Sequence, residues 1–371
     1  MTFEGASFYK IVAKRHRNFS FLIFLRLTNP ARMWYNGGRS VIAMNTKEQV
    51  LQMLEAQRGT YLSGEQLAQR LAVSRNAVWK AIRDLRSAGH QIDAATNRGY
   101  CIPADADTLS LAGMLPYLAP EIVPERIQVF PTLSSTNQTA KELALSGAPH
   151  GTAVIAAEQT GGRGRYARRF VSPEGGLYLS VILHPERLQF AHITVVTAFA
   201  AVAVCEAIEQ VTGLSPQIKW VNDLFLGGRK VCGILTEAVT DIESGSLGWI
   251  VLGIGINVNT RTADFPPELR EIAGALYPDG APVRGSRCRL AAEILNRTAG
   301  LQAPPQERDV MAAYRARLMM LGQTVTVHEG ERSYQALAVD LDDAGHLILQ
   351  SPDGTRRTLS AGEISLSLTH K

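Results

Sequence analysis

The ten residues Gly161–Phe170, GGRGRYARRF, carry four arginines and three glycines. Glycines 161, 162 and 164 permit positive φ and close backbone approach to a ligand,. Arg163 and Arg165 alternate within that pliable backbone, and Arg168 and Arg169 extend the charge. Such a segment suits two kinds of anion: nucleic acid, or a phosphate or phosphoryl anhydride held in a small pocket. Only Tyr166 and Phe170 offer stacking faces, and no further basic stripe accompanies them, which favours the pocket,.

Three more stretches carry chemistry. In IKWVNDLFLGGRKVCGILTEA (218–238), Lys219 stands on an apolar strand, where a lysine needs a partner,. Asn222 and Asp223 follow it with oxygens that suit a metal, although no metal is assigned. In LGIGINVN (252–259), Gly253 and Gly255 interrupt a strand, as expected where a ligand lies against the backbone,. In LSSTNQTA (133–140), Ser135, Thr136 and Asn137 stand at a helix start, where backbone N–H groups also point outward,. Each feature has a bland counterpart: a solvated turn, a snorkelling lysine, a bulge, a plain cap.

Elements must hold these residues in place. Strands are expected over 152–158, 176–183, 217–221, 231–237 and 249–258, with a buried helix over 191–213 whose apolar core is shorter than a membrane span,. Ahead of them, 46–86 reads as three helices, with Ser63 and Ser74 as N-caps and Gly89 ending the third,. HQIDAATNRGYCIP then alternates as a hairpin, completing a winged helix-turn-helix,. Its third helix offers Ser74, Arg75, Asn76, Lys80, Arg83 and Arg86 outward, toward a DNA groove,. Trp79 is expected to pack against the wing, with contact to DNA as the alternative. Residues 46–102 hold eight basic and five acidic side chains. Residues 102–110 read as a linker, and short strands from 322 onward form a small β-barrel,.

The whole chain bears +4, but residues 1–45 hold seven Lys/Arg against one acid, leaving 31 against 33 elsewhere. A nucleic-acid role is therefore local. The scattered Cys101, Cys205, Cys232 and Cys288 indicate neither disulfides nor structural zinc and fit a reducing cytoplasm,. The apolar run 19–25 is too short to span a bilayer, no membrane association is expected, and the folded protein is expected to begin at Met44 after a disordered or weakly helical extension,.

Taken together, SGEQLAQRLAVSRNAVWKAI, SSTNQ, EQTGGRGRYARRF, KWVNDLFL, KVCGILTE, GIGIN and GEISL resemble the bifunctional biotin–protein ligases of the biotin operon repressor type, over residues 46–371. The resemblance implies an α+β protein. A winged helix (46–105) is followed by a mixed α/β catalytic domain resembling class II aminoacyl-tRNA synthetases (106–320) and an SH3-like small β-barrel (321–371). It implies formation of biotinyl-5′-AMP from biotin and Mg2+-ATP, then transfer of biotin to a lysine of biotin carboxyl carrier protein. It also implies adenylate-driven homodimerisation on operator DNA. Carried over, Ser135, Thr136, Asn137 and Gln159 contact the biotin ureido ring. Gly162, Arg163, Gly164 and Arg165 fold over the adenylate. Lys219 touches the carboxylate and α-phosphate, Gly253 and Gly255 flank biotin, and Phe170 and Asn257 lie near adenine. Arg163, Arg165 and Lys219 are then the catalytic residues. Four positions depart from the pattern: Ala167 for a loop glycine, Val221 for a proline expected to be tolerable in a strand, Phe170 for a tryptophan, and Ser367 for an arginine after GEISL. Two alternatives stay open, a ligand-sensing transcription factor with an inactive ligase domain and a lipoate ligase.

Overall fold

The computed structural model describes residues 35–36, 39–40, 45–188, 190, 192–240, 247–278, 287–299, 305–329, 332–360 and 362–366. Met1–Ala43 and Met44–Lys371 form two separate units. In the first, β1 (Tyr35–Asn36) pairs with β2 (Arg39–Ser40), a short strand pair within the stretch expected to be disordered or weakly helical. The apolar run 19–25 lies outside the described residues.

The second unit opens with α1 (Thr46–Glu55), α2 (Gly64–Leu71) and α3 (Arg75–Ser87), then the wing strands β3 (Asp93–Ala95) and β4 (Gly99–Cys101). The caps explain the boundaries. Ser63 and Gln66 form a reciprocal capping box, Ser74 accepts from the Ala77 N–H, and Gly89 at φ +90° lies just beyond the end of α3,. Leu54, Leu67, Val78, Ile82 and Leu85 meet in a small separate core.

Next come α4 (Leu111–Met114), β5 (Ile127–Leu133), α5 (Thr136–Leu145), β6 (Ala153–Gln159), β7 (Gly176–Leu183), α6 (Pro185–Leu188) and α7 (Ile193–Thr212). After them follow β8 (Gln217–Lys219), β9 (Asp223–Leu226), β10 (Arg229–Thr240), β11 (Leu247–Asn257), α8 (Arg287–Thr298) and α9 (Glu307–Arg317). The seven strands align in the order β5-β6-β7-β11-β10-β9-β8. Only β5 and β6 are parallel, as a crossover through α5 requires,. Ala140 and Ala144 of α5 pack on one face against Val154, Ile182 and Val251. The main core contains α7, α8 and α9. Helix α7 is long and apolar enough to cross a membrane, yet 72% of its apolar window is buried inside the protein, so it is a core helix.

A five-stranded antiparallel sheet closes the chain: β12 (Thr324–Glu329), β13 (Arg332–Leu341), β14 (Leu347–Gln350), β15 (Arg356–Leu359) and β16 (Glu363–Leu366), in the order β15-β14-β13-β12-β16. Its inward residues Val325, Val327 and Ala338 join the main core. The Trp220 indole N–H donates to the Gly345 carbonyl at 2.9 Å, tying the two sheets together.

Two expectations are corrected. Residues 102–110 are not a loose linker. Buried Arg287 donates from its backbone N–H and its Nε to the Asp107 carboxylate, each at 2.7 Å, and from Nη1 to the Gly176 carbonyl at 2.9 Å. Arg58, paired with Glu55 of α1, donates to the Ala106 carbonyl, so the segment is held from both sides. Val221 is not in a strand: it lies in the turn between β8 and β9, after a cis Trp220–Val221 peptide.

Candidate active site

The seven-stranded sheet places four separated stretches around one cavity. Its lining includes Ser135, Thr136 and Asn137 from the start of α5, and Gln159 from the end of β6. Arg163, Gly164, Arg165, Arg168, Arg169 and Phe170 come from the loop. Lys219 ends β8, and Gly253 and Gly255 lie on β11. The C-terminal sheet adds Ile364, preceded by Gly362; Ser367 lies outside the described residues. Two expected residues are placed differently. Gly162 sits beneath the loop, where a Cβ would stand 2.4 Å from the Phe170 carbonyl and 2.5 Å from Ser172 Oγ. Asn257 is buried at the end of β11, donating from Nδ2 to the Gly274 carbonyl at 2.9 Å, and is not among the cavity-lining residues. Its Oδ1 has no partner among the described residues.

The basic loop is a hairpin. Phe170 N–H donates to the Gly162 carbonyl at 3.0 Å and Gly164 N–H to the Arg168 carbonyl at 2.7 Å. Its tip is Tyr166, 60% exposed and at φ +53°, so the left-handed position falls there rather than on Ala167. Arg165 Nη2 donates to the Tyr166 hydroxyl at 3.1 Å. The strand glycines line the cavity, and the protein's own side chains need their space as well. A Cβ on Gly253 would stand 2.0 Å from Asn137 Oδ1, and one on Gly255 2.6 Å from the Phe170 ring. That ring also covers Gly233 and meets Tyr178 edge-on, with centroids 6.5 Å apart.

The polar wall is densely bonded. Gln159 Oε1 accepts from the Thr136 N–H at 2.8 Å, while its Nε2 donates to Ser172 Oγ at 3.0 Å. Ser180 Oγ lies 2.8 Å from Thr136 Oγ1 and 2.6 Å from Asn137 Oδ1. Asn137 Nδ2 donates to Glu237 Oε2 at 2.8 Å, and Lys141 Nζ holds Glu237 Oε1 at 2.5 Å. Opposite, Arg163, Arg165, Arg168, Arg169, Lys219 and Lys230 present positive charge. Asp223, the one acidic residue lining the cavity among the described residues, accepts from Lys230 at 2.6 Å. Asn222 donates to the Ile234 carbonyl. Among the described residues no group of three or more His, Cys, Asp or Glu gathers around a metal position.

Sequence reading missed Ser180, Glu237, Lys141 and Lys230. Ser180 had one signal, a lone hydroxyl within the apolar run GLYLSVIL,. Glu237 and Lys141 lie far apart in the chain, so only the fold pairs them.

On the winged helix, Arg75, Asn76, Trp79, Lys80 and Arg83 are exposed along α3. Ser74 is spent on the cap, and Arg75 lies 3.7 Å from Glu65. Arg86 instead donates to the Ile92 carbonyl. Trp79 does not pack on the wing. It is 53% exposed, with the Arg83 guanidinium 5.2 Å from its ring centre.

A helix-turn-helix, a mixed sheet enclosing a cationic cavity and a small C-terminal sheet together define a ligand-binding protein headed by a winged helix. The comparisons give the family. Residues 129–257 match the Biotin/lipoate A/B protein ligase family, 46–101 an HTH domain, and 320–367 the Biotin protein ligase C terminal domain. The chain is 33% identical to the bifunctional ligase/repressor BirA of Bacillus subtilis over 324 residues, 85% of this chain and 97% of that protein. It is 31% identical to BirA of Escherichia coli, over 84% and 95% of the two chains. The solved Aquifex aeolicus biotin protein ligase in complex with biotin and ATP aligns at a TM-score of 0.54 and 27% identity, over 65% of this chain and 97% of that one. The chain belongs to the biotin protein ligase family, in its bifunctional ligase/repressor branch.

Proposed function

We propose that this protein activates biotin with ATP, transfers it to a lysine of biotin carboxyl carrier protein, and represses transcription as a homodimer on operator DNA. The observation that carries the ligase reading is the meeting of the polar wall of Thr136, Asn137 and Gln159 with Lys219, Arg163 and Arg165 in one cavity. The biotin carboxylate attacks the α-phosphate of ATP, which enters as its Mg2+ complex, and pyrophosphate leaves. Two unit charges ~4 Å apart repel by roughly 4 kcal/mol at an effective dielectric of ~20. Cancelling that repulsion corresponds to about a thousandfold in rate. Lys219 and the two arginines supply positive charge where the phosphoryl oxygens gain negative charge. The loop hairpin then covers the mixed anhydride and limits water. The carrier lysine attacks the acyl carbon and AMP departs. Phe170 is assigned to the adenine side. Asn257, buried on Gly274, acts there by holding the end of β11 rather than by contact.

The test is incubation with ATP, biotin and carrier protein, read with streptavidin. Labelling by the wild type that Lys219→Ala removes is expected; an unlabelled carrier with folded protein would instead support a ligand sensor with an inactive ligase domain. Lipoate competing as well as biotin would favour the lipoate ligase. For the repressor arm, biotin plus ATP should tighten operator binding and drive dimerisation, and Trp79→Ala or Lys80→Ala should weaken DNA binding without changing carrier labelling. Operator affinity indifferent to biotin and ATP would count against it.

A further inference from the structure

We propose that Glu237, held by Lys141, is a positioning residue that sets the hydrogen-bond polarity of the cavity wall, so that Thr136 faces the ligand as an acceptor and selects a ring that donates N–H. This rests on the biotin-ligase reading. Neither Glu237, Lys141 nor Ser180 lines the cavity; they act through Asn137 and Thr136.

Each hydroxyl in the wall has one proton to give, and the fixed acceptors decide where it goes. A carboxylate only accepts, so Glu237, aided by the Leu235 carbonyl accepting at a longer 3.4 Å, fixes the amide of Asn137 with Nδ2 toward itself at 2.8 Å,. Asn137 Oδ1 must then face Ser180 Oγ, 2.6 Å away. An amide oxygen also only accepts, so the single Ser180 proton is spent there. Toward Thr136 Oγ1, 2.8 Å away, Ser180 therefore presents lone pairs. The other neighbour of that hydroxyl is Gln159 Oε1 at 3.1 Å. Its orientation is fixed as well, because it takes the Thr136 N–H while Nε2 donates to Ser172. Both protein neighbours of the Thr136 hydroxyl are acceptors, so its one proton stays within the wall. Lone pairs are what it offers the cavity. A cyclic urea satisfies them with N–H; the dithiolane ring of lipoate has no such donor. Ser180 is fully buried, so water does not repair a broken link.

The Glu237→Gln variant reverses the relay. Lys141 keeps the amide oxygen, the new NH2 faces Asn137, and Asn137 turns over. Asn137 then donates to Ser180, and Ser180 donates to Thr136. Thr136 has one lone pair fewer for the ligand and a proton it can turn to the cavity. In the Glu237→Gln/Lys141→Met double variant the glutamine is free to offer its oxygen to Asn137 again. Kinetics are read as pyrophosphate release with biotin and with biotins N-methylated on each urea nitrogen in turn. Glu237→Gln should raise KM for biotin about tenfold, the worth of roughly one hydrogen bond. KM for ATP should stay within about twofold, because the change lies on the biotin wall. The penalty for methylating the nitrogen that faces Thr136 should shrink, and the double variant should regain biotin affinity and the penalty together. An active Glu237→Gln enzyme with wild-type biotin KM and an undiminished penalty would overturn the relay alone, as would a double variant no better than the single one. Absence of biotin-dependent pyrophosphate release from the wild type would overturn the ligase reading and take the relay's ligand with it.

Discussion

Gly253→Ala is the sharpest steric test of the cavity wall. Gly253 sits on β11 between Leu235 of β10 and Ser180 of β7, and Asn137 bridges over it. An added Cβ would stand 2.0 Å from Asn137 Oδ1, 2.7 Å from its Cγ and 2.8 Å from its Nδ2. The amide has nowhere to move without surrendering its bonds to Ser180 and Glu237. A neutral hydrogen bond contributes about 1 kcal/mol and one to a charged group about 2, so the loss is roughly 3 kcal/mol. Differential scanning calorimetry should show the melting midpoint down by roughly 6 °C or more. Isothermal titration with biotin should show at least about tenfold weaker binding. Gly164→Ala is the control: its Cβ would meet the Arg168 carbonyl at an ordinary 3.5 Å, and its φ of −117° suits alanine. A Gly253→Ala protein that melts with the wild type and binds biotin equally well would refute the reasoning.

Arg287→Ala leaves Asp107 buried without its partner and should cost about 3–5 kcal/mol in denaturant unfolding, with Asp107→Asn milder,. Burial holds the His150 imidazole below its ordinary range, with Arg187, His184 and Arg126 adding to the effect, and burial does the same for His90. His150 Nδ1 also accepts from the His184 N–H at 3.0 Å, a bond that needs the neutral ring. The unfolded chain therefore takes up more protons as pH falls through about 6.5, so this stability is present above that pH and lost below it. Urea midpoints should drop between pH 7.5 and 5.5, and His150→Gln should flatten that slope.

Local signals made much of the fold legible. Ser63 and Ser74 cap the helices they were expected to cap, and the strands carrying Lys219 and Gly253 lie where alternation and apolar runs place them. Long-range facts were not legible. Gly253 and Gly255 were read as room for a ligand and do line the cavity, but nothing local announced that Asn137 and Phe170 also reach them from elsewhere in the chain. Ser180 was missed because its partners stand 43 and 44 positions away. Trp79 was expected against the wing, but α3 already fills its inner face with Val78, Ala81, Ile82 and Leu85, and the indole faces outward. Pro103 to Ser110 carried linker composition, and nothing local announced Arg287 as its anchor.

That anchoring has a mechanical consequence. With Arg58 gripping one side of the segment and Arg287 the other, the DNA-reading head is mounted rather than tethered. In the homodimer proposed above, the gap between the two winged helices would be set by the shape of the joint between copies, not by the reach of a flexible string. If that homodimer binds operator DNA, the spacing of its half-sites would be a ruler reading of that joint, and a few base pairs inserted between them should be poorly tolerated.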